Sequence, residues 1–348
     1  MKALVYYGKN EIGVEDRPYP KLVLPSDALV KIMHTTICGT DLHIVRGKVP
    51  TVSKKRILGH EGVGIVQEVG SSVTNFKAGD RVLISCNSSC GKCTNCKKAL
   101  TGQCLDGGWI LGNTSDGCQT EMVRIPHADN SLHMLSDDLD PISSVMLSDI
   151  LPTGYEIGIK AGRLEPGQTL AIVGAGPVGL AALMTAQFYS PAQIFVIDVN
   201  EHRLNKALEL GATHAINNSA HDAVKQIMDL THNRGVDVVV ECIGLPVGWD
   251  ICEQIVCGGG NIAMLGVHGE SVTLHLEEMW KKNFTFTAGL VHTTTIPFLM
   301  QAVKDKRLNP NNLITHHLHL SELMKGYDIF RNAAQHNALK VILTNDIS

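Results

Sequence analysis

Hydrophobic and polar positions along the chain follow one rhythm up to about residue 154 and another beyond it. In the first part, short alternating runs at 2–7, 28–33, 63–69 and 81–85 are broken by Pro18, Pro20, Pro25 and the turn Lys77-Ala78-Gly79-Asp80, which predicts a β-rich domain. In the second part, β-branched runs at 169–173, 193–198, 214–217, 236–242, 260–266 and 284–288 alternate with helical stretches at 178–189 and 201–210. That alternation predicts the α/β class, with six strands in a doubly wound parallel sheet. A helix at 296–306, a strand at 313–320, a helix at 321–332 and a strand at 339–343 complete the pattern. Only 86–117 obeys neither period, being rich in Gly, Asn, Ser and Cys; a loop of that length needs a staple.

Composition narrows the picture. With 348 residues the chain exceeds one ordinary core and is expected to form two domains with a cleft. Hydrophobic residues at 44% and charged residues at 18% exclude a disordered or fibrous protein. A net charge of −4 carries no basic footprint for nucleic acid. The apolar run Ala3 to Tyr7 is too short for a secretory core, so the expected compartment is cytoplasmic. Residues 166–197 lack charge and are long enough to cross a bilayer. Gly174, Gly176, Pro177, Gly179 and Pro191 instead divide them into strand, turn, helix and turn, so no membrane partner is expected.

Cysteine usage brings in metal chemistry. Four of the ten cysteines follow the spacing Cys90-x₂-Cys93-x₂-Cys96-x₇-Cys104, which suits a closed tetrahedral Zn²⁺ and supplies the staple. Redox thiols or an iron–sulfur cluster are the competing uses of such a set. Cys86 and Cys118 fall outside the spacing and read as ordinary thiols. A second metal site is suggested by Cys38 and His60; its third ligand is open among Asp149, Glu61 and Glu156, all legal oxygen donors. A core histidine and a helix cap are the structural alternatives for His60 and Asp149. Trp109, just past the cysteine run, either lines a substrate pocket or packs the lobe.

A cofactor signal follows the first apolar strand of the second part. Gly174-Ala175-Gly176-Pro177-Val178-Gly179 opens a helix, and Asp198 stands 22 residues after Gly176 at the end of the next strand. This context suits a dinucleotide, with glycines for the tight turn, pyrophosphate approach and helix packing. A carboxylate at Asp198 accepts from a ribose 2′-hydroxyl and repels a 2′-phosphate, favouring NAD over NADP. Arg203 nearby is a cation that could meet a phosphate; its alternative is a solvated helix face.

Taken in order, Cys38-Gly39-Thr40-Asp41-Leu42-His43, Gly59-His60-Glu61-Gly62, the four-cysteine lobe, Leu147-Ser148-Asp149 with Thr153-Gly154, and the glycine turn resemble the zinc-containing alcohol dehydrogenases of the medium-chain dehydrogenase/reductase superfamily. The resemblance covers nearly the whole chain. It implies a GroES-like catalytic domain over 1–154 and 291–348 around a Rossmann domain at 155–290, with two zinc ions, one catalytic and one structural. It implies Cys38, His60 and Asp149 as catalytic zinc ligands, with Glu61 able to exchange with water. Thr40 and His43 become a proton relay through the nicotinamide ribose, a role that suits an imidazole titrating near neutrality. Thr153 lies beside the nicotinamide, Val178 behind its ring, and Lys340 at the pyrophosphate. Many relatives carry Cys where this chain has Asp149, and the run Ser148 to Gly154 is similar to bacterial secondary-alcohol enzymes. The implied activity is reversible NAD-dependent oxidation of a small primary or secondary alcohol by a homodimer or homotetramer. A polyol or hydroxy-amino-acid dehydrogenase is the alternative within that chemistry, and a non-catalytic NAD-binding protein the alternative outside it.

Overall fold

The alternating runs of the first part become a mixed sheet because each presents one apolar face. A computed structural model describes residues 1–346, and these form two compact units, 1–149 with the chain from His292 onward, and 150–291. In the first unit the sheet order is Ile314–His319, Lys340–Thr344, Ala28–Thr36, Gly62–Val69, Arg81–Ile84, Leu132–Met134, with Met122–Ile125 also paired to Ala28–Thr36. Its inward residues Val30, Ile32, Val66, Val82, Ile84, Val123 and Ile125 form one core. Burying each such side chain contributes roughly 1.5–3 kcal/mol. A second core gathers Leu4, Ile37, Ile44, Leu58, Tyr327 and Leu343, so residues from both ends of the chain share it. The closing strand pairs Ile342 with Thr36, antiparallel, which is why this unit is built from two separate stretches of sequence.

In the second unit the six parallel strands lie in the order His214–Asn217, Gln193–Asp198, Thr169–Val173, Val236–Glu241, Val256–Met264, Thr285–Ala288. The central strand is apolar without alternation, with Leu170, Ala171, Ile172 and Val173 fully buried, as a strand covered on both faces must be. Strand Val256–Met264 begins four residues before the expected start at 260. The reason is a bulge: its register against Val236–Glu241 slips between Val236 and Val238, and Gly259 sits at φ +76°.

Three helical features depart from the sequence expectation. Ala223–Leu230 is a helix started by Asp222, whose carboxylate accepts from Lys225 N at 3.0 Å. Pro246–Ile255 is another, opened by its proline. Gly39–Val45, absent from the elements expected above, is also a helix. No helix among the described residues is long and apolar enough to cross a membrane.

Candidate active site

Four donors of the first unit converge from three stretches of chain. Cys38 stands at the N-cap of helix Gly39–Val45, where its backbone N–H donates to the Asp41 carboxylate at 2.9 Å. His60 follows Gly59, which adopts φ +93°; a Cβ there would lie 2.8 Å from the backbone nitrogen of Gln119, so only glycine fits. Asp149 arrives from the end of the first stretch of this unit. Together Cys38, His60, Glu61 and Asp149 each place one ligand-type atom within 4.8 Å of the others. Asp149 Oδ2 lies 3.2 Å from His60 Nε2 and 3.8 Å from Cys38 Sγ. Glu156, an open alternative in the sequence, is outside this group and belongs to the second unit.

The electrostatics suit a cation. Burial disfavours a charged His60 ring, yet hydrogen bonds to Asp149 and Cys38 hold its pKa well above the ordinary value. Burial raises the Cys38 thiol, and the Glu61 charge adds to this. Glu61 Oε1 is buried with no hydrogen-bond partner among the described residues. A thiol, an imidazole and two carboxylates at this separation are a fitting donor set for zinc. Behind them, His60 Nδ1 faces Asp41 Oδ1 at 3.7 Å. Asp41 thus caps the helix through one carboxylate oxygen, while the other stands near the imidazole without a hydrogen bond to it. Its position at the third residue of that helix was the available signal.

Lys340 meets a partner that the sequence did not offer. The resemblance implies a pyrophosphate partner, but the side chain is 1% exposed and Nζ donates to Glu61 Oε2 at 2.6 Å. Two opposite charges removed from water require each other, and Glu61 takes one of the ammonium's donors. Burial lowers the Lys340 pKa, but Glu61 outweighs it and the net shift is upward.

Thr40 and His43 lie three residues apart on helix Gly39–Val45 and so share a face. Burial, with Arg46 and Lys48 adding to it, lowers the His43 pKa, and its Nδ1 is buried without a partner among the described residues. Trp109 packs edge-on against His60, with ring centroids 6.2 Å apart, so it stands beside the donor cluster.

Cys90, Cys93, Cys96 and Cys104 form a second donor group, all four sulfurs within 4.8 Å. Cys93 Sγ and Cys104 Sγ are 4.0 Å apart, near the roughly 3.8 Å edge that a Zn–S length of about 2.3 Å gives a tetrahedron. Backbone N–H groups of Cys90, Cys93, Cys96 and Asp106 point at these sulfurs at 3.2 to 3.4 Å. Such donors favour thiolates: those of Cys96 and Leu105 help bring the Cys93 pKa to about 6.

In the second unit the glycine turn sits between strand Thr169–Val173 and helix Pro177–Ala186. Gly174 has φ +108°, and a Cβ on Gly179 would fall 1.9 Å from the Gly174 carbonyl oxygen. Asp198 accepts from Ala175 N at 2.7 Å, and from Val199 N and Asn200 N at 2.8 and 2.9 Å, which ties the turn to the neighbouring strand end. A Cβ on Gly176 would lie 3.9 Å from the Arg203 guanidinium, so that cation flanks the turn. Val178 is half-buried on the first turn of this helix, and Gly154, next to Thr153, packs against its Ala181 and Ala182.

Two family profiles match the chain: "Alcohol dehydrogenase GroES-like domain" over residues 24–137 and "Zinc-binding dehydrogenase" over 177–332. The chain superposes on zinc dependent alcohol dehydrogenase 2 from Streptococcus pneumonia with a TM-score of 0.96 and 49% identity, covering 100% of this chain and 99% of that one. It is 33% identical to an alcohol dehydrogenase from Cupriavidus necator across 95% of each chain. A sorbitol dehydrogenase from Bacillus subtilis is 34% identical over 78% of this chain and 76% of its own. The protein belongs to the zinc-type alcohol dehydrogenases of the medium-chain dehydrogenase/reductase superfamily, with a GroES-like and a Rossmann-like part. It is an enzyme of the alcohol dehydrogenase class.

Proposed function

We propose that the protein catalyses the reversible oxidation of a small primary or secondary alcohol to an aldehyde or ketone, with NAD as hydride acceptor and two zinc ions per chain. The observation that carries this reading is the convergence of Cys38, His60, Glu61 and Asp149 within 4.8 Å. Cys38, His60 and Asp149 would hold the reactive zinc, which supplies Lewis acidity toward an alcohol or carbonyl oxygen. Glu61, pinned by Lys340 at 2.6 Å, stands as the alternate donor. Asp41, with Oδ1 at 3.7 Å from His60 Nδ1, would steady the ring from behind. Thr40 would take the alcohol proton and His43 receive it, because its lowered pKa leaves the imidazole neutral at physiological pH. The four-cysteine group would hold the structural zinc.

Asp198 supports NAD over NADP, since a carboxylate anchored by three N–H groups repels a 2′-phosphate. Val178, Thr153 and the glycines would seat the nicotinamide and pyrophosphate, with Arg203 at the turn's flank. Ten cysteines without a disulfide suit a reducing, cytoplasmic setting. The edge strand Thr285–Ala288 leaves one side of its backbone without a strand partner among the described residues, which supports a homodimer or homotetramer. Similarity to a sorbitol dehydrogenase favours a polyol as the second reading.

A substrate panel decides between them. Zinc-loaded protein assayed with ethanol, propan-2-ol, butanediol and sorbitol, with NAD⁺ and NADP⁺ in parallel, should form NADH faster than NADPH on the simple alcohols. Turnover of sorbitol alone would select the polyol reading, and no turnover of any of them would overturn the proposal.

A further inference from the structure

The proposed reaction makes no use of Glu241, the last residue of strand Val236–Glu241 in the second unit. Its carboxylate is fully buried, and a carboxylate out of water needs donors. Oε1 accepts from Ile243 N and Gly244 N, both at 2.8 Å, and Oε2 accepts from His268 Nε2 at 3.2 Å. The Glu241 carbonyl accepts from Leu265 N at 2.8 Å and Gly266 N at 3.1 Å. One residue thus ties together the loops that leave two paired parallel strands, Val236–Glu241 and Val256–Met264. The loops pack backbone to backbone: a Cβ on Gly266 would fall 2.3 Å from Gly244 N, and a Cβ on Gly244 would fall 2.6 Å from the Val267 carbonyl oxygen. The glycine turn joins them, since a Cβ on Gly174 would lie 2.9 Å from Ile243 Cγ1.

Strand order reverses at this place, because Thr169–Val173 lies between Gln193–Asp198 and Val236–Glu241. A doubly wound sheet takes its ligand at such a reversal. The glycine turn and Asp198 suit the pyrophosphate and the adenosine half, which leaves the nicotinamide half for the ends of Val236–Glu241 and Val256–Met264. The apolar side chains of Ile243, Leu245 and Val267 stand exposed there, a surface that a flat ring would cover. His268 follows Val267, and its Nδ1 is buried without a hydrogen-bond partner among the described residues, so Glu241 holds the ring through Nε2. We infer that Glu241 and His268 are positioning residues for the nicotinamide half of the dinucleotide. The carboxylate anchors the loop after its own strand and, through the imidazole, the loop after the next, so that Ile243 and Val267 are held as one surface. Without the imidazole the four backbone bonds to Glu241 remain, so the second loop is loosened rather than lost. Affinity then falls with the fraction of molecules whose loop is in place.

This inference rests on the NAD reading above, and two titrations keep them apart. The full-length parent and its His268→Ala and His268→Gln variants are titrated with NADH, followed by its fluorescence. The same proteins are titrated by calorimetry with ADP, which carries the adenosine and the pyrophosphate without the nicotinamide riboside. His268→Ala should bind NADH roughly tenfold more weakly, as when only about a tenth of the molecules hold the competent loop arrangement. Its affinity for ADP should match that of the parent. His268→Gln, whose amide N–H reaches as far as Nε2, should recover most of the NADH affinity. Should His268→Ala not fold, His268→Asn, whose amide falls short of Glu241, takes its place. Equal NADH affinity in the parent and His268→Ala would overturn the positioning role alone. So would equal losses for NADH and ADP, the mark of a residue that only supports the fold, and so would a His268→Gln variant as weak as His268→Ala. A parent that does not bind NADH would overturn the NAD reading and this inference with it.

Discussion

Lys340 shows how one buried charge constrains a site. Its ammonium and the Glu61 carboxylate are each 1% exposed and lie 2.6 Å apart. Removing one partner from such a pair leaves the other uncompensated, which costs about 3–5 kcal/mol where the pair is well formed. Lys340→Met should therefore lower the thermal unfolding midpoint by several degrees near neutral pH. Without the ammonium, the Glu61 pKa rises beyond its already raised value, so the carboxylate escapes the penalty by taking up a proton. The deficit of the variant relative to the parent should shrink as pH falls, a trend read by calorimetry across a pH series. Periodicity could mark Lys340 only as a polar residue in an apolar strand. Its partner lies 279 positions away, beyond any local pattern.

Among the elements, the glycine turn is the most rigidly specified. Its sequence was legible because each glycine answers a separate steric demand, and the structure places a Gly179 Cβ 1.9 Å from the Gly174 carbonyl. Gly179→Ala must open the turn or push helix Pro177–Ala186 off the sheet. The expected outcome is NAD binding weakened by at least tenfold, measured by quenching of protein fluorescence on titration, with zinc content unchanged. The parallel strands were equally legible, since continuous apolar runs such as Leu170 to Val173 have few alternatives. Helices Ala223–Leu230 and Pro246–Ile255 were not, because their short apolar stripes are interleaved with polar residues and caps. The helix Gly39–Val45 escaped notice because its first turn is Gly, Thr and Asp, residues that serve a turn or a helix start equally well.

For the molecule as a whole, the two-unit organisation had no local signature at its return point. The pairing of Ile342 with Thr36 closes the first unit across the entire second one, and only the ordered series of motifs along the chain made that connection visible. The same long reach assembles the donor cluster from Cys38, His60 and Asp149, which no window of sequence contains. The central claim is that this cluster holds the zinc on which turnover depends, separately from the four-cysteine group. The most direct measurement is NADH formation from a simple alcohol by the zinc-loaded parent and its Cys38→Ser variant, with zinc counted on the same samples. The account predicts two zinc ions and turnover for the parent, and one zinc with turnover reduced to background for the variant. Equal turnover by the two proteins would contradict it.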